Sequence, residues 1–366
     1  MSKAVLDNEN KELKLISKNE YRSVLRQYIK AEDFNPDTKE LLRYFTFMSI
    51  YLFGIYSLVN LQLFLPVKIF VSIFMGISLA ALTFFMHDLM HGAVTKSKKI
   101  TYLIGLSIGL FNFFAPLFWQ RLHNFHHARA GSVDDPDRMY IWDERPKDGL
   151  EKFIYGLRIS KNSFNAAFSL ASMSFGFFWY FFTMFCAMLQ KKPRGSQYQG
   201  VNKLFKTKDV FIVFSEFILI FSFQGFLFTI LSGSNLLNYF LISLLPVLIT
   251  HFTTMLYIHT NHFLSPLTAS VDDPLVNSLS LKNSWLVDKV FANFSHHVEH
   301  HLFPAMGSSH YPKIRKLLLD LYPNRFQLFP MSYAVKLLCT TPRIYSDNTN
   351  LVNFYGKEKI NCLLPK

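Results

Sequence analysis

Three groups of closely spaced histidines in this chain could bind metal ions. The densest, SHHVEHHLFP at 295–304, carries His297, His300 and His301 in the pattern H-x-x-H-H. The same pattern occurs in HNFHH at 123–127, and HDLMH at 87–91 has two histidines four residues apart. Positions i, i+3 and i+4 of a helix share one face, so each group can direct two or three imidazoles at one point. Eight imidazoles from three elements would suffice for two metal ions.

Eight or nine imidazoles are too many for one zinc ion, and imidazole suits iron, copper, nickel and zinc alike. Zinc sites are usually four-coordinate, often include cysteine or carboxylate, and have no redox chemistry. A zinc-peptidase interpretation of HDLMH is weak, because the HExxH motif needs a glutamate as general base and this chain has Asp88 there. Two irons held mostly by neutral imidazoles would form a site able to oxidise an unactivated C–H bond when supplied with oxygen and electrons.

Long uncharged blocks indicate that the elements carrying these histidines lie in a membrane. Half of the 366 residues are apolar and 40 are phenylalanine. Residues 44–67, 69–86 and 162–190 carry no Asp, Glu, Lys or Arg, and 210–258 contains only Glu216. A bilayer core needs about 20 mostly apolar residues per helix. The sequence therefore predicts an integral membrane protein.

Charge and cysteine content argue against a nucleic-acid-binding protein, a disulfide-stabilised protein and a thiolate metal site. A net charge of +13 without interleaved basic and aromatic recognition motifs is more typical of cytoplasmic loops that face anionic lipid than of nucleic-acid binding. The three widely spaced cysteines, Cys186, Cys339 and Cys362, provide neither a disulfide framework nor a thiolate metal site.

A first membrane hairpin is predicted at 44–64 and 69–86, and HDLMH directly follows its second helix. Three lysines between 96 and 99 then mark this end as cytoplasmic. Residues 100–118 are apolar again, but HNFHH follows them. If both histidine groups serve one metal centre, residues 100–118 must lie in the interface or re-enter the membrane rather than cross it.

The remaining apolar stretches lie near 166–189, 210–231 and 236–258. Loop 191–208 holds six lysines and arginines and no acid, so we expect it on the cytoplasmic side. Stretch 166–189 would then begin and end inside, and the other two would form a second hairpin. The expected fold is an all-α integral membrane protein with four transmembrane helices in two hairpins, interfacial helices, and a cytosolic helical cap carrying the histidine boxes.

HDLMH, HNFHH and HVEHHLFP, in this order, resemble the three histidine boxes of the membrane fatty-acid desaturases, over roughly residues 40–310. The resemblance implies a di-iron enzyme that uses O2 and two electrons to introduce a cis double bond into a long acyl chain. Family members have one more histidine before the last box, and here IHTNH offers His262, which we favour, or His259. The implied iron ligands are His87, His91, His123, His126, His127, His262, His297, His300 and His301.

The resemblance also bears on partners and substrate. The His-Pro-Gly-Gly signature of fused haem-binding donor domains is absent, and the last box begins with His297 where many such enzymes have glutamine. We therefore expect a separate electron donor, such as a ferredoxin or a cytochrome, and no nucleic-acid partner. The substrate would be an acyl-lipid or an acyl-CoA, and the length of the first box faintly favours acyl-lipid. The expected division is a cytosolic segment at 1–40, a desaturase-like membrane and di-iron domain at 41–310, and a cytosolic segment at 311–366.

Several other polar residues have alternative interpretations. The pentapeptide Ser-Val-Asp-Asp-Pro occurs at 132–136 and 270–274. Asp135, Asp137, Asp272 and Asp273 could accept the second ring N–H of a ligand histidine or simply form turns. Glu299 would point to solvent or to a basic partner. Trp119 and Gln120 are placed to line a substrate passage.

Two other functions remain open. One is a related membrane hydroxylase or ketolase acting on an alkyl, sterol or carotenoid substrate. The other, less favoured, is a metal-binding membrane transporter, which would need ionisable residues along its spans. His251 and Glu216 are the only histidine and the only carboxylate within the predicted spans.

Overall fold

The computed structural model describes residues 14–137, 149–161, 163, 165–193, 198–262, 264–268, 271–353 and 356–365. Sequence features at 1–13 and 138–148, together with Ser270 of the second pentapeptide, lie outside the described residues. The described chain is mostly helical.

The first elements are a short capped helix and a long hairpin. Helix α1 spans Lys18–Leu25 and begins with a capping box between Ser17 and Glu20. Single 3-10 turns follow, and then α2 (Leu41–Asn60) and α3 (Leu65–Met90) pack side by side. Pro66 lies in the first turn of α3, where its missing N–H costs no hydrogen bond.

A sharply broken helix pair follows this hairpin. Helices α4 (Lys98–Asn112) and α5 (Pro116–Arg129) are bent by 102° at a short break. Phe113 adopts the left-handed conformation at the end of α4, with φ of 55°. Gly109 lies so close to the carbonyl oxygen of Phe114 that a Cβ would collide with it, so the close turn requires glycine here. A broken span and a re-entrant segment would both have this geometry, so the re-entry of residues 100–118 stays a prediction.

Within the described residues, five further α-helices lie between α5 and residue 264. In chain order these are α6 (Gly149–Leu157), α7 (Ala166–Leu189), α8 (Thr207–Phe226), α9 (Leu236–Tyr239) and α10 (Leu245–His262). Single π-helical turns continue α8 at Leu227–Leu231 and join α9 to α10 at Phe240–Leu244. Helix α10 packs along both α3 and α7, so the two hairpins share one core.

The cap after residue 264 consists of short elements. Its helices are α11 (Pro274–Asn277), α12 (Trp285–Val290), α13 (His297–Leu302), α14 (Tyr311–Leu321) and α15 (Met331–Thr340). Its strands are β1 (Ser280–Lys282), β2 (Leu328–Pro330), β3 (Ile344–Asp347), β4 (Asn350–Val352) and β5 (Lys359–Asn361). Strands β1 and β2 are parallel, and β3, β4 and β5 form an antiparallel sheet in that order.

These strands differ from the all-α prediction, although the chain is helical elsewhere. Strands β3 and β4 pair Ile344 with Val352 and Tyr345 with Leu351. Such β-branched and aromatic residues favour a pleated, half-buried surface. The segments are only three or four residues long, too short to show a clear alternation in the sequence.

Within the described residues, five helical stretches are long and apolar enough to cross a membrane. These are Ala31–Asn60, Leu65–Met90, Ala166–Leu189, Thr207–Leu231 and Leu236–His262. The broken pair α4–α5 passes the same test if it is taken as one span. The prediction of a membrane protein therefore agrees with the structure. Four of the five stretches are the predicted spans, and the fifth is α7, which we expected not to cross.

A second, smaller core lies in the cap. Tyr21 and Leu25 of α1 are fully buried against residues of α13 and α14, including Val298 and Ile314. The N-terminal helix is thus fixed to the region of the third histidine box.

Candidate metal centre

Four helices bring the predicted histidines together. His87 lies in the last turn of α3 and His91 caps that helix. Helix α5 carries the second box, α13 carries the third, and His262 is the last residue of α10. The structure thereby gathers side chains that lie more than two hundred residues apart in the sequence.

The nine histidines fall into two clusters, and the potential ligand atoms within each cluster lie within 4.8 Å of one another. The five-histidine cluster consists of His87, His91, His123, His127 and His300. The four-histidine cluster consists of His126, His262, His297 and His301. His259, the weaker alternative to His262, is buried but belongs to neither cluster.

The nitrogen spacing within the clusters fits metal coordination. The Nε2 atoms of His127 and His123 are 3.0 Å apart, and those of His301 and His297 are 3.1 Å apart. Two nitrogens bound to one ion at about 2.1 Å would lie about 3.0 Å apart at a right angle and about 3.4 Å apart at a tetrahedral angle. Among the described residues, the buried Nε2 atoms of His87 and His91 have no hydrogen-bond partner. Such buried polar atoms normally have partners, and a metal ion would provide one.

The third-box imidazoles are held in the neutral form that binds metal. Burial lowers the pKa of His297, His300 and His301 well below the ordinary histidine value, and neighbouring imidazoles lower it further. A neutral ring can present a lone pair to a metal ion. The chemistry of the ligand set therefore fits two transition-metal ions.

Two carboxylates that follow the second box contact the Nδ1 atoms of two cluster histidines, on the side of each ring away from the Nε2 atom. The Nδ1 of His126 lies 2.7 Å from Asp135 Oδ1, and the Nδ1 of His123 lies 3.3 Å from Asp137 Oδ2. Tyr180 of α7 donates to the other oxygen of Asp137 at 2.8 Å. Such outer contacts fix the tautomer and the ring orientation of a metal ligand, which is one of the two interpretations suggested by the sequence.

The second copy of the pentapeptide makes different contacts. Asp272 accepts from Lys18 at 2.7 Å, and Asp273 accepts from Arg325 at 2.6 Å and from the backbone of Ile16 at 2.8 Å. Asp273 also caps α11. The two copies therefore have different roles: the first holds histidines, and the second ties the N-terminal segment to the cap.

Further outer partners are not predicted from the sequence, among them the carbonyl oxygen of Asn277, which lies 3.4 Å from His262 Nδ1. Tyr311 Oη lies 2.9 Å from His300 Nδ1, and Asp88 Oδ1 lies 3.2 Å from His87 Nδ1. Tyr311 belongs to α14, ten residues beyond the third box, and no local motif marks it. Asp88 was considered only as a substitute for a catalytic glutamate.

Glu299, between the ligands of the third box, is fully buried rather than pointing to solvent. It accepts from Arg315 Nε at 2.6 Å and from Ser280 Oγ at 2.5 Å. Arg315 also donates to the carbonyl oxygens of Leu281 and Ser295. This ion pair ties α13 to α14, and the contacts of Ser280 and Leu281 join both helices to β1. It corresponds to the basic-partner alternative of the sequence interpretation.

A cavity reaches both clusters. Its polar wall contains His87 and His123 of one cluster and His126, His262 and His297 of the other. Its apolar wall is formed mainly by Phe84, Phe114, Trp119, Phe177, Met255 and Phe294. Trp119 lines the space beside the histidines, whereas Gln120 donates to the carbonyl oxygen of Met90. A substrate passage at these two residues stays a prediction.

Polar residues of the candidate spans make hydrogen bonds to backbone atoms around the break between α4 and α5. Glu216 accepts the backbone N–H of Leu117 at 3.2 Å, and His251 Nε2 lies 3.4 Å from the carbonyl oxygen of Asn112. Gln224, which the sequence interpretation missed, donates to the carbonyl oxygen of Leu110 at 2.7 Å. Non-helical backbone at membrane depth needs such partners. These contacts give His251 and Glu216 a structural role at the break between α4 and α5.

Comparisons with known proteins agree with this geometry. A search of curated proteins finds no match to the chain. The family model described as "Fatty acid desaturase" matches residues 63–332, which is more than half of the chain and includes all nine clustered histidines. The chain therefore belongs to the fatty acid desaturase family.

Proposed function

We propose that this protein is an oxygen-dependent acyl-chain desaturase that introduces a cis double bond into a long-chain acyl group at a di-iron centre. The observation that carries the proposal is the pair of histidine clusters beside one cavity, in a chain of the desaturase family. We infer that the five-histidine cluster binds one iron and the four-histidine cluster the other. When bound, the irons would supply the redox chemistry that removes two hydrogens with O2 and two electrons.

The protein's own residues would position the acyl chain and keep water away. The phenylalanines and methionines of the cavity wall offer an apolar lining against the histidines, which suits a hydrocarbon chain. Asp135 and Asp137 hold the rings of His126 and His123 in fixed orientations. Fixed ligand orientations would keep the two metal sites at a constant position relative to the bound chain.

We propose a topology of four spans with the active site on the cytoplasmic side. Helices α3 and α10 both end at the clusters, so the α2–α3 and α8–α10 hairpins would open toward the same face. Helix α7, which packs along α10, would not span the membrane. Phe177 packs on His251, and Phe185 packs on Phe214 and Phe217. His251 lies about eleven residues before the end of α10, and Phe214 and Phe217 lie within about ten residues of the start of α8. At the rise of an α-helix, these three partners of α7 would lie within roughly 16 Å of the helix ends that face the clusters.

Within this topology, residues 1–40 and 311–366 would be cytosolic segments around a membrane and di-iron domain at 41–310. A separate ferredoxin or cytochrome would supply electrons, and the acyl group would be carried by a lipid or by coenzyme A.

Lipid profiling of a heterologous host tests this function. We expect unsaturated acyl chains that the host lacks to appear on expression of the chain, and no such product with the His300→Ala variant at equal membrane abundance. Hydroxylated chains without new double bonds would contradict desaturation. Unchanged turnover by the His300→Ala variant would contradict the ligand assignment.

A further inference from the structure

Helix α12 presents an apolar edge that no described residue covers. The exposed fractions are 72% for Trp285, 62% for Leu286 and 37% for Val287. Exposed lysines, Lys282 and Lys289, lie on either side of this edge, and the Lys289 ammonium is 4.9 Å from the centre of the Trp285 ring. Single exposed apolar residues are common, but three in a row on one short helix indicate a contact surface.

The position of this edge relative to the membrane follows from Arg43. The Arg43 guanidinium donates to the carbonyl oxygens of Lys289 and Val290, at 3.1 Å for Val290, and so joins the end of α12 to the first turn of α2. On α2, Leu42 is 72% exposed and Phe45 is 60% exposed. The α12 edge therefore lies where the apolar outer surface of a candidate span begins.

Helix α12 is also connected to the candidate active site. The chain leaves it through Ala292 and Asn293, two consecutive non-glycine residues with positive φ, and reaches Phe294. The Phe294 ring lies 4.4 Å from that of Phe84 and 4.9 Å from that of His87, and it lines the cavity. Three residues beyond Phe294 the third histidine box begins.

We propose that α12 inserts Trp285 and Leu286 into the bilayer interface and anchors the cap, with its third histidine box, against the leaflet in which α2 begins. The partner is a lipid surface, with anionic headgroups beside Lys282 and Lys289. Tryptophan at headgroup depth with lysines reaching toward the phosphates is the usual composition of interfacial segments. Continuity with the exposed face of α2 favours lipid over a protein partner. The proposal depends on the chain spanning a membrane and not on the reaction it catalyses.

Fluorescence quenching in vesicles tests this contact. The full-length protein is reconstituted into phosphatidylcholine–phosphatidylglycerol vesicles, and the contribution of Trp285 is taken as the difference between the wild type and Trp285→Phe. We expect lipids brominated close to the headgroup to quench this component more than lipids brominated at the chain ends. Soluble iodide should quench it weakly.

A tryptophan elsewhere on the cap provides the matched control. Leu319 of α14 is 43% exposed and lies on a polar surface beside the exposed Lys316 and Asp320, so Leu319→Trp in the Trp285→Phe background should respond to iodide and not to brominated lipid. Strong iodide quenching of the Trp285 component, with no response to brominated lipid, would overturn the proposal. Protection of Trp285 from both quenchers would also overturn it, because the edge would then be covered by protein, such as a second copy of this chain.

Discussion

The two histidine clusters differ in the helices that supply them and in their exposure. The five-histidine cluster takes His87 and His91 from the end of the first hairpin, and His91 and His127 are only partly buried. The four-histidine cluster takes His262 from the end of the second hairpin, and all four of its residues are buried. Helices α5 and α13 contribute to both clusters. Each cluster thus depends on its own hairpin, while two shared helices hold the pair together.

This difference predicts that a hairpin ligand affects one metal site only. Replacing His87 with alanine should remove the ion of the five-histidine cluster, and replacing His262 should remove that of the four-histidine cluster. Each variant should keep about one iron per chain, and activity should fall by more than about 100-fold, because changes to outer-shell partners alone cost 10–100-fold. Elemental analysis and lipid profiling measure the two effects.

His310 provides the control for these variants. It lies outside both clusters and pairs with Asp33 at 3.6 Å. The His310→Ala variant should keep the wild-type iron content. Loss of both irons in either the His87 or the His262 variant would contradict the assignment of one hairpin to one site.

Replacing the carboxylates that contact His126 and His123 should weaken iron binding at one cluster each, with a smaller effect than the loss of a ligand. Asp135→Asn removes the charge beside His126 of the four-histidine cluster, and Asp137→Asn removes it beside His123 of the five-histidine cluster. Each should weaken iron binding about 10–100-fold, since asparagine keeps the shape but not the charge of the partner. Asp135→Asn should have the larger effect, because its contact is 2.7 Å rather than 3.3 Å. Iron retention during chelator titration measures this, and a reversed order would contradict the argument.

A change that disturbs a shared helix should affect both clusters together. Gln224 donates to Leu110 and accepts from Tyr239 and Ser243, and it supports the break that leads into α5. The Gln224→Leu variant leaves these buried groups without their partner, at about 1–3 kcal/mol of unfolding free energy. Thermal unfolding in detergent should show the loss, with both irons weakened alike. Ser215→Leu, at an exposed position of the same helix, should change little.

The smallest effect is expected at the second copy of the pentapeptide. Asp272 pairs with Lys18 at 2.7 Å in a partly exposed position. The Asp272→Asn variant should lower the unfolding free energy by less than about 1 kcal/mol, as is usual for such pairs, and should leave iron binding unchanged. A loss of iron comparable to that of Asp135→Asn would show that both copies support the metal centre.

The sequence predicts the histidine clusters well because their spacing is local. The i, i+3, i+4 pattern of the second box determines which side chains share a face of α5, and three such boxes limit how the helices can meet. The division of the nine residues between the clusters is not local: His126 and His127 are adjacent, yet they belong to different clusters. The division depends on which of the neighbouring histidines, from α3, α10 or α13, lie beside each histidine of α5.

The outer partners show the same limit. Asp135 could be suggested because it follows the box closely in sequence. Tyr311 and Gln224 could not, since each reaches its partner from another helix and neither lies in a motif. The identical pentapeptides at 132–136 and 270–274 make different contacts because their surroundings differ.

Anomalous scattering at the iron edge tests the central claim most directly, since it locates the irons in crystals of the iron-loaded protein. We predict two peaks, one among His87, His91, His123, His127 and His300 and the other among His126, His262, His297 and His301. A single shared peak, or no peak within the clusters, would contradict the account.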